Sequence, residues 1–400
     1  MSKRNMLRCL LAFLSAATCT IALLAPATPA LAASYTGAMK GRILYYEYRY
    51  YAAQPGDGAV YLTADKYTWR GVPHAKIYLL DKNGNVVGTA KTDGTGSFNV
   101  SWTSSSSSPS LHAEFRYESG HEKNGTPRFR FVTTEGGKWV SALYSGYKTG
   151  KSGQTVDIGN RYLGTKANPH KLSNMFATAA NFLTNVGTAS AYLWEYMAGV
   201  NIHFPYPSAK TGATYSRTKI GMPDSGYAFN NSTMAHELGH VVNMLAWERD
   251  SLDYSCIGGH SWNSAETESC AFGEGWANFV AAATFFYPSA KKPTSYGYDI
   301  EGETCTGDAE KTESNVARYF WDVYDSTHDA SASQPLWWFF DKLNFFPKGT
   351  NNRQDGENKS DSTKGTNVWD FYYHGLYGNG GEKIDTAALV YHNCLESSAW

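Results

Sequence analysis

The sequence predicts a multidomain α+β chain: an all-β sandwich followed by a mainly helical part carrying a small sheet. Three observations carry that prediction. Between residues 41 and 162, short runs rich in Tyr, Ile and Val alternate inward and outward and are punctuated by turn residues, the pattern of a sandwich. After Asn168, apolar residues recur at three- and four-residue intervals, the pattern of helices with one buried face. The first 32 residues have the shape of a cleaved export signal, which divides the 400 residues into 1–32, 33–165 and 166–400.

The signal rests on a short basic start (Lys3, Arg4, Arg8), an apolar run over 10–25, and the small-residue site Ala30-Leu31-Ala32. Ser15, Thr18, Thr20 and Pro26 interrupt the run, which argues against a membrane anchor, and no other segment approaches a spanning length. The expectation is a secreted chain, extracellular or periplasmic, without stable membrane insertion. Three basic and no acidic residues leave with the signal, so the formal net charge passes from −1 to −4. A mildly acidic chain with no basic block excludes nucleic acid as an expected partner.

In the first part, Ala75, Ile77 and Leu79 alternate with Lys76 and Tyr78. Asp81-Lys-Asn-Gly84 then makes a turn into a strand at 86–90, and Asp93-Gly-Thr-Gly96 another into 97–102. Strands at 112–117 and 128–132 continue the series. In the second part, helices are expected at 172–186, 190–198, 264–286, 313–325, 335–345, 368–377 and 384–394. Extended segments are expected at 200–204 and 213–222. A further helix starts near Thr233, capped by Asn231 or Ser232.

Cys9 and Cys19 leave with the signal, and Cys256, Cys270, Cys305 and Cys394 remain. An even number in an exported chain favours two disulfides. Cys256–Cys270 with Cys305–Cys394 is the favoured pairing of the three, because the first bridge closes the segment between the two candidate ligand regions. No close Cys-x-x-Cys pair marks these residues as a zinc site.

The chemistry concentrates at 236–240, His-Glu-Leu-Gly-His. On a helix, His236 and His240 stand one turn apart on one face, so both imidazoles can bind one Zn2+ ion, and Glu237 beside them can take a proton from water on that ion. The string alone is weak; its uncharged flanks, its cap and a third ligand downstream strengthen it. A three-histidine version needs glycine at 243 and histidine at 246, where this chain has Asn243 and Ala246. The remaining third ligands are Glu266, Glu268, Glu274 and His260. Glu274 is favoured: Gly273, Gly275, Trp276 and Ala277 suit close helix packing, and Asn278 one turn on can hydrogen-bond a ligand imidazole. Glu266 and Glu268 lie about 80° and 240° around the helix from it and read as solvated charges. His260 sits in a loop context.

His-Glu-Leu-Gly-His followed by Ala-Phe-Gly-Glu-Gly-Trp-Ala-Asn-Phe resembles the gluzincin branch of zinc metallopeptidases, and the likeness runs on through Asn315 to Asp325. The resemblance implies a zincin-like fold for 166–400, one Zn2+ per chain held by His236, His240 and Glu274, and Glu237 as general base. It also implies hydrolysis of a protein or peptide substrate by attack of a zinc-bound water. Asn278 departs from the aspartate usual at that position. The transition-state oxyanion needs a further donor; Tyr324 is the candidate, with His328 and Tyr254 behind it. Segment 218–222 is a candidate edge strand for substrate. Gly71-Val-Pro-His-Ala-Lys-Ile-Tyr through Thr92-Asp-Gly-Thr-Gly-Ser-Phe resembles the prealbumin-type sandwich found beside secreted peptidases, which implies a passive or targeting module able to contact a cell surface or glycan. Two rival readings stay open: a secreted binding or adhesion protein with a structural or inactive zinc site, and a zinc hydrolase acting on a non-peptide substrate.

Overall fold

The computed structural model describes residues 33–48, 67–133, 137–138, 140–143, 146–165, 167–208, 211–246, 256, 260–301, 309–325, 334–344, 368 and 371. The signal segment, Cys305, Cys394, Tyr254, His328 and most of the two C-terminal helices expected from the sequence lie outside these residues.

Strands and helices are both abundant, and the chain is α+β. The first sheet is centred on β1 (Tyr35–Tyr48), which pairs parallel with β12 (Thr155–Leu163) and antiparallel with β2 (Tyr67–Gly71) and β5 (Ser97–Ser104). The second sheet contains β3 (Ala75–Asp81), β4 (Val86–Lys91), β6 (Ser110–Ser119), β9 (Phe129–Val132), β13 (Val200–His203), β14 (Ala213–Ser216) and β15 (Lys219–Gly221). Its order is β14-β15-β13-β9-β6-β3-β4, with β10 (Ser141–Leu143) and β11 (Lys148–Thr149) also on β6. Two small hairpins complete the strands, β7 (Glu122–Lys123) with β8 (Thr126–Pro127) and β16 (Thr294–Ser295) with β17 (Tyr298–Asp299). Alternation decides which side chains enter the core: Phe98, Val100 and Trp102 of β5 are buried while Asn99, Ser101 and Thr103 are exposed.

The second sheet crosses residue 165. β13 lies parallel to β9 with Val200 opposite Phe129 and His203 opposite Val132. Parallel neighbours need a crossover, and α1 (Lys171–Phe182) supplies it, placing Phe176 against Phe115, Tyr117 and Phe129. Segment 213–222 is extended as expected, but it folds as a hairpin: β15 lies inside the sheet and β14 forms its edge. The edge strand is therefore 213–216 and not 218–222, because β15 is already paired on both sides.

After the short α2 (Ala191–Tyr196), the site is carried by three packed helices, α3 (Asn231–Ala246), α4 (Glu268–Phe285) and α5 (Glu313–Tyr324), with α6 (Leu336–Asn344) beside them. Residues 270–285 of α4 are all buried, as a helix without a polar face must be when neighbours cover it on every side. Close approach is set by small residues. A Cβ on Gly239 of α3 would stand 3.0 Å from Ala277 Cα, and one on Gly275 of α4 only 2.7 Å from Val316 Cβ of α5. Trp276 fixes the first contact by donating from Nε1 to the Gly239 carbonyl at 3.2 Å. The α3 cap is Asn230, one residue before the expected pair: its Oδ1 accepts from Ser232 N at 3.0 Å. Thr267 caps α4 by accepting from Cys270 N. Among the described residues, no helix is long and apolar enough to cross a membrane.

Candidate metal centre

His236 and His240 project from one face of α3, both almost fully buried, towards Glu274 on α4. Glu274 Oε2 lies 3.0 Å from His236 Nε2 and 3.4 Å from His240 Nε2, and the two Nε2 atoms are 3.0 Å apart. A tetrahedral ion with bonds of about 2.0–2.1 Å holds its donor atoms roughly 3.3–3.4 Å apart, so this triangle fits one small cation with a coordination position to spare. Nitrogen, nitrogen and carboxylate oxygen are also the donor set that suits zinc.

The geometry around the triangle fixes each ligand. His236 Nδ1 is 3.2 Å from Asn278 Oδ1, an oxygen that also accepts from Ser295 Oγ at 2.9 Å. Asn278 Nδ2 donates to Glu313 Oε2 at 3.4 Å, and Glu313 Oε1 faces His260 Nδ1 at 2.6 Å. A carboxylate only accepts, so Glu313 sets the orientation of the Asn278 amide; the amide oxygen then takes the proton of His236 Nδ1 and leaves the Nε2 lone pair for a cation. This network joins α3, α4, α5 and the β16–β17 hairpin through buried polar groups.

Charge follows the same map. Burial works to raise the Glu274 carboxyl, but the His240 charge and the hydrogen bonds to both histidines outweigh it and hold the group well below the usual range. Burial works to lower His236, and Glu274 overcomes it and raises the imidazole. His260 is raised to about 9, first by its bond to Glu313, against burial and with help from the Glu274 charge. A cation competes with protons for these lone pairs.

Glu237 is buried beside the triangle, and Thr214 of the edge strand stands 2.6 Å from its Oε2. Together these residues line a cleft of about 550 Å³, walled on the other side by Trp262 stacked on Tyr298 at 5.3 Å and by Tyr227.

His236, Glu237, His240 and Glu274 are brought together. Tyr324 is not: its ring packs edge-on against Phe279 at 5.8 Å and Trp321 at 5.2 Å, burial raises its hydroxyl to about 12, and it does not line the cleft. It faces the aromatic core because its α5 face is the one that meets Phe279 of α4. Of the phenols that line the cleft, Tyr296, at the tip of the β16–β17 hairpin, packs against His236. Its ring is 5.6 Å from that of His236, its backbone is held at φ 52, and burial with the nearby Glu237 charge raises its hydroxyl well above the ordinary value. A non-glycine residue in the left-handed region is uncommon and costs strain of about 1–3 kcal/mol, which marks the hairpin tip. Its backbone N donates to Ser232 Oγ of α3 at 3.1 Å.

His260 stands on the cleft wall with Nε2 3.9 Å from Glu274 Oε1; it groups with Glu274 and Cys256 and not with the two histidines, and the Cys256 sulfur is taken up in the bridge to Cys270. Glu266 is not solvated: it is buried, and its Oε1 accepts from Ser264 Oγ at 2.8 Å. The bridge Cys256–Cys270 is present and ties the segment before His260 to the first turn of α4, one turn from Glu274. Thr214, Tyr296 and Glu313 carry no sequence motif; each reaches the site through a tertiary contact.

Residues 200–340 match the family model described as Mycolysin C-terminal domain. That span contains the whole ligand triangle and Glu237, and it relates this part of the chain to a family of bacterial metallopeptidases. A comparison with curated proteins gives no match. Among solved structures, the chain is similar to the crystal structure of a 9R-lipoxygenase from Cyanothece PCC8801, at 11% identity and a TM-score of 0.18, over 39% of this chain and 24% of that one. The chain thus spans about a quarter of that lipoxygenase, and a likeness this slight carries no argument.

Proposed function

We propose that this chain is an exported zinc metallopeptidase, built from a sandwich unit (33–165) and a catalytic unit (166–400) that share one sheet. The observation that carries the reading is the convergence of His236 Nε2, His240 Nε2 and Glu274 Oε2 on one point, with the Glu237 carboxylate beside it in an open cleft. Zinc held there would supply Lewis acidity, lowering the pKa of water towards about 7 and polarising a carbonyl.

The chain's own groups do the rest. Glu237 takes the proton of the attacking water and delivers it to the departing amine, the task of a general base with hydrogen-bond reach. Asn278 holds His236 in the tautomer that presents Nε2. Tyr296, in place of Tyr324, offers a hydroxyl for the developing oxyanion. Edge strand β14 can align an extended peptide beside the triangle, which makes a peptide the substrate class. His260 and Glu274 form a second donor group only with Cys256, whose sulfur is bonded to Cys270, which favours the three-ligand site of His236, His240 and Glu274 over a four-ligand structural one.

The test is Glu237→Gln in the purified mature chain. Zinc content should stay at one per chain while casein hydrolysis falls by about 10³-fold or more. A mutant that cleaves at the wild-type rate removes Glu237 from the chemistry.

A further inference from the structure

The segment that enters β14 holds one oxygen of Glu237 and packs closely against the other. Thr214 Oγ1 stands 2.6 Å from Glu237 Oε2 and 2.9 Å from the Glu237 backbone carbonyl. One hydroxyl has one proton, and the charged oxygen at the shorter distance is the stronger acceptor. Two residues earlier, a Cβ on Gly212 would lie 2.6 Å from Glu237 Oε1 and 3.0 Å from Thr233 Cγ2, so a side chain there would push the carboxylate out of its place.

A bulge aims these groups. Pairing passes from Thr214 opposite Ile220 to Ser216 opposite Lys219, leaving Tyr215 as the extra residue. Tyr215 turns outward to Tyr206, ring centroids 5.2 Å apart, and Thr214 stays on the helix side. Bulges beside active sites re-aim side chains in this way.

We propose that Gly212 and Thr214 form a cradle that positions the Glu237 carboxylate. Thr214 fixes Oε2, and the missing side chain at 212 leaves Oε1 the room to face substrate. Thr214 is a positioning residue, since it acts through Glu237 and not on substrate. Because the cradle belongs to the edge strand, a peptide that pairs with β14 bears on the same backbone that holds the base, so docking and base alignment are coupled. The inference rests on the reading of Glu237 as general base.

The test compares Thr214→Val, which keeps the shape and removes the hydroxyl, with Thr214→Ser, which restores it, and with Gly212→Ala. Zinc content, kcat and KM on a fluorogenic peptide, and the Kd of a peptide hydroxamate are measured on the full mature chain. The hydroxamate hydroxyl is read by the base, so its affinity reports the carboxylate's position without turnover. The expected result for Thr214→Val is a fall of about tenfold in kcat and a similar weakening of hydroxamate, the scale of one hydrogen bond to a charged group. Zinc content and KM should hold, and Thr214→Ser should recover most of the loss. Gly212→Ala should also lower kcat with zinc retained. Wild-type kcat and hydroxamate affinity in Thr214→Val would overturn the cradle. So would a Thr214→Ser variant as impaired as the valine, which would assign the effect to packing. If Glu237→Gln itself binds hydroxamate and cleaves peptide like the wild type, the base reading falls first and takes the cradle with it.

Discussion

Aspartate at position 278 should damage this chain, although it is the residue that the gluzincin resemblance leads one to expect there. Asn278 Nδ2 donates to Glu313 Oε2 at 3.4 Å, and Glu313 is itself buried. Asn278→Asp turns that donor into a second carboxylate oxygen. Two unit charges at this separation repel by about 5 kcal/mol at an effective dielectric constant of about 20, and the hydrogen bond is lost as well. Proton uptake by one of the pair relieves part of the penalty. Urea unfolding of the chelator-treated protein near pH 7 should therefore show a loss of several kcal/mol, about 2–5. The penalty needs both carboxyls ionised, so it should shrink as pH falls towards about 4, the ordinary carboxylate range. Adding Glu313→Gln should restore most of the stability, since a neutral amide again faces a carboxylate. A chelated Asn278→Asp protein with the wild-type urea midpoint at neutral pH would refute the assigned orientation of the Asn278–Glu313 pair.

Further outcomes follow from the same geometry. His260 is raised to about 9 by Glu313. A raised histidine contributes stability that is complete below its unfolded pKa of about 6.5 and is lost as pH rises through about 9. The Tm of the chelated protein should thus fall as pH rises between those values, and His260→Ala should flatten that stretch of the profile. Reducing the Cys256–Cys270 bridge, or replacing both cysteines by alanine, should cost about 3 kcal/mol for a loop of this length, read from urea midpoints. Gly275→Ala places a methyl 2.7 Å from Val316 Cβ and 2.9 Å from the Glu313 carbonyl. Overpacking of that kind should cost about 1–3 kcal/mol and loosen zinc retention under a competing chelator.

What the sequence disclosed and what it concealed have separate physical causes. Helix periodicity fixes which side chains share a face, so His236 and His240 could be paired before any fold was known, and small residues around Glu274 announced a close helix contact. Asn278 followed from the same one-turn spacing. Alternation likewise exposed the inward faces of β3 and β5. Contacts between elements distant in the chain leave no such period. Tyr324 and Tyr296 are both tyrosines near the second helical region, and only the packing of α5 on Phe279 and the placement of the β16–β17 hairpin against Ser232 decide which phenol meets the cleft. Glu266 looked solvated because a helical wheel was extended over residues that lie before α4 begins at Glu268. The hairpin within 213–222 escaped detection because extended backbone reads alike at an edge and inside a sheet; the bulge at Tyr215 appears only once β15 is paired.

The central claim is a cation held by three side chains of this chain, and X-ray absorption at the zinc edge of the purified, zinc-loaded mature protein tests it most directly. Two imidazoles and one carboxylate at about 2.0–2.1 Å, with one exchangeable oxygen and no sulfur, is the predicted first shell. A third imidazole from His260, a sulfur donor, or an unchanged spectrum in Glu274→Ala would contradict it.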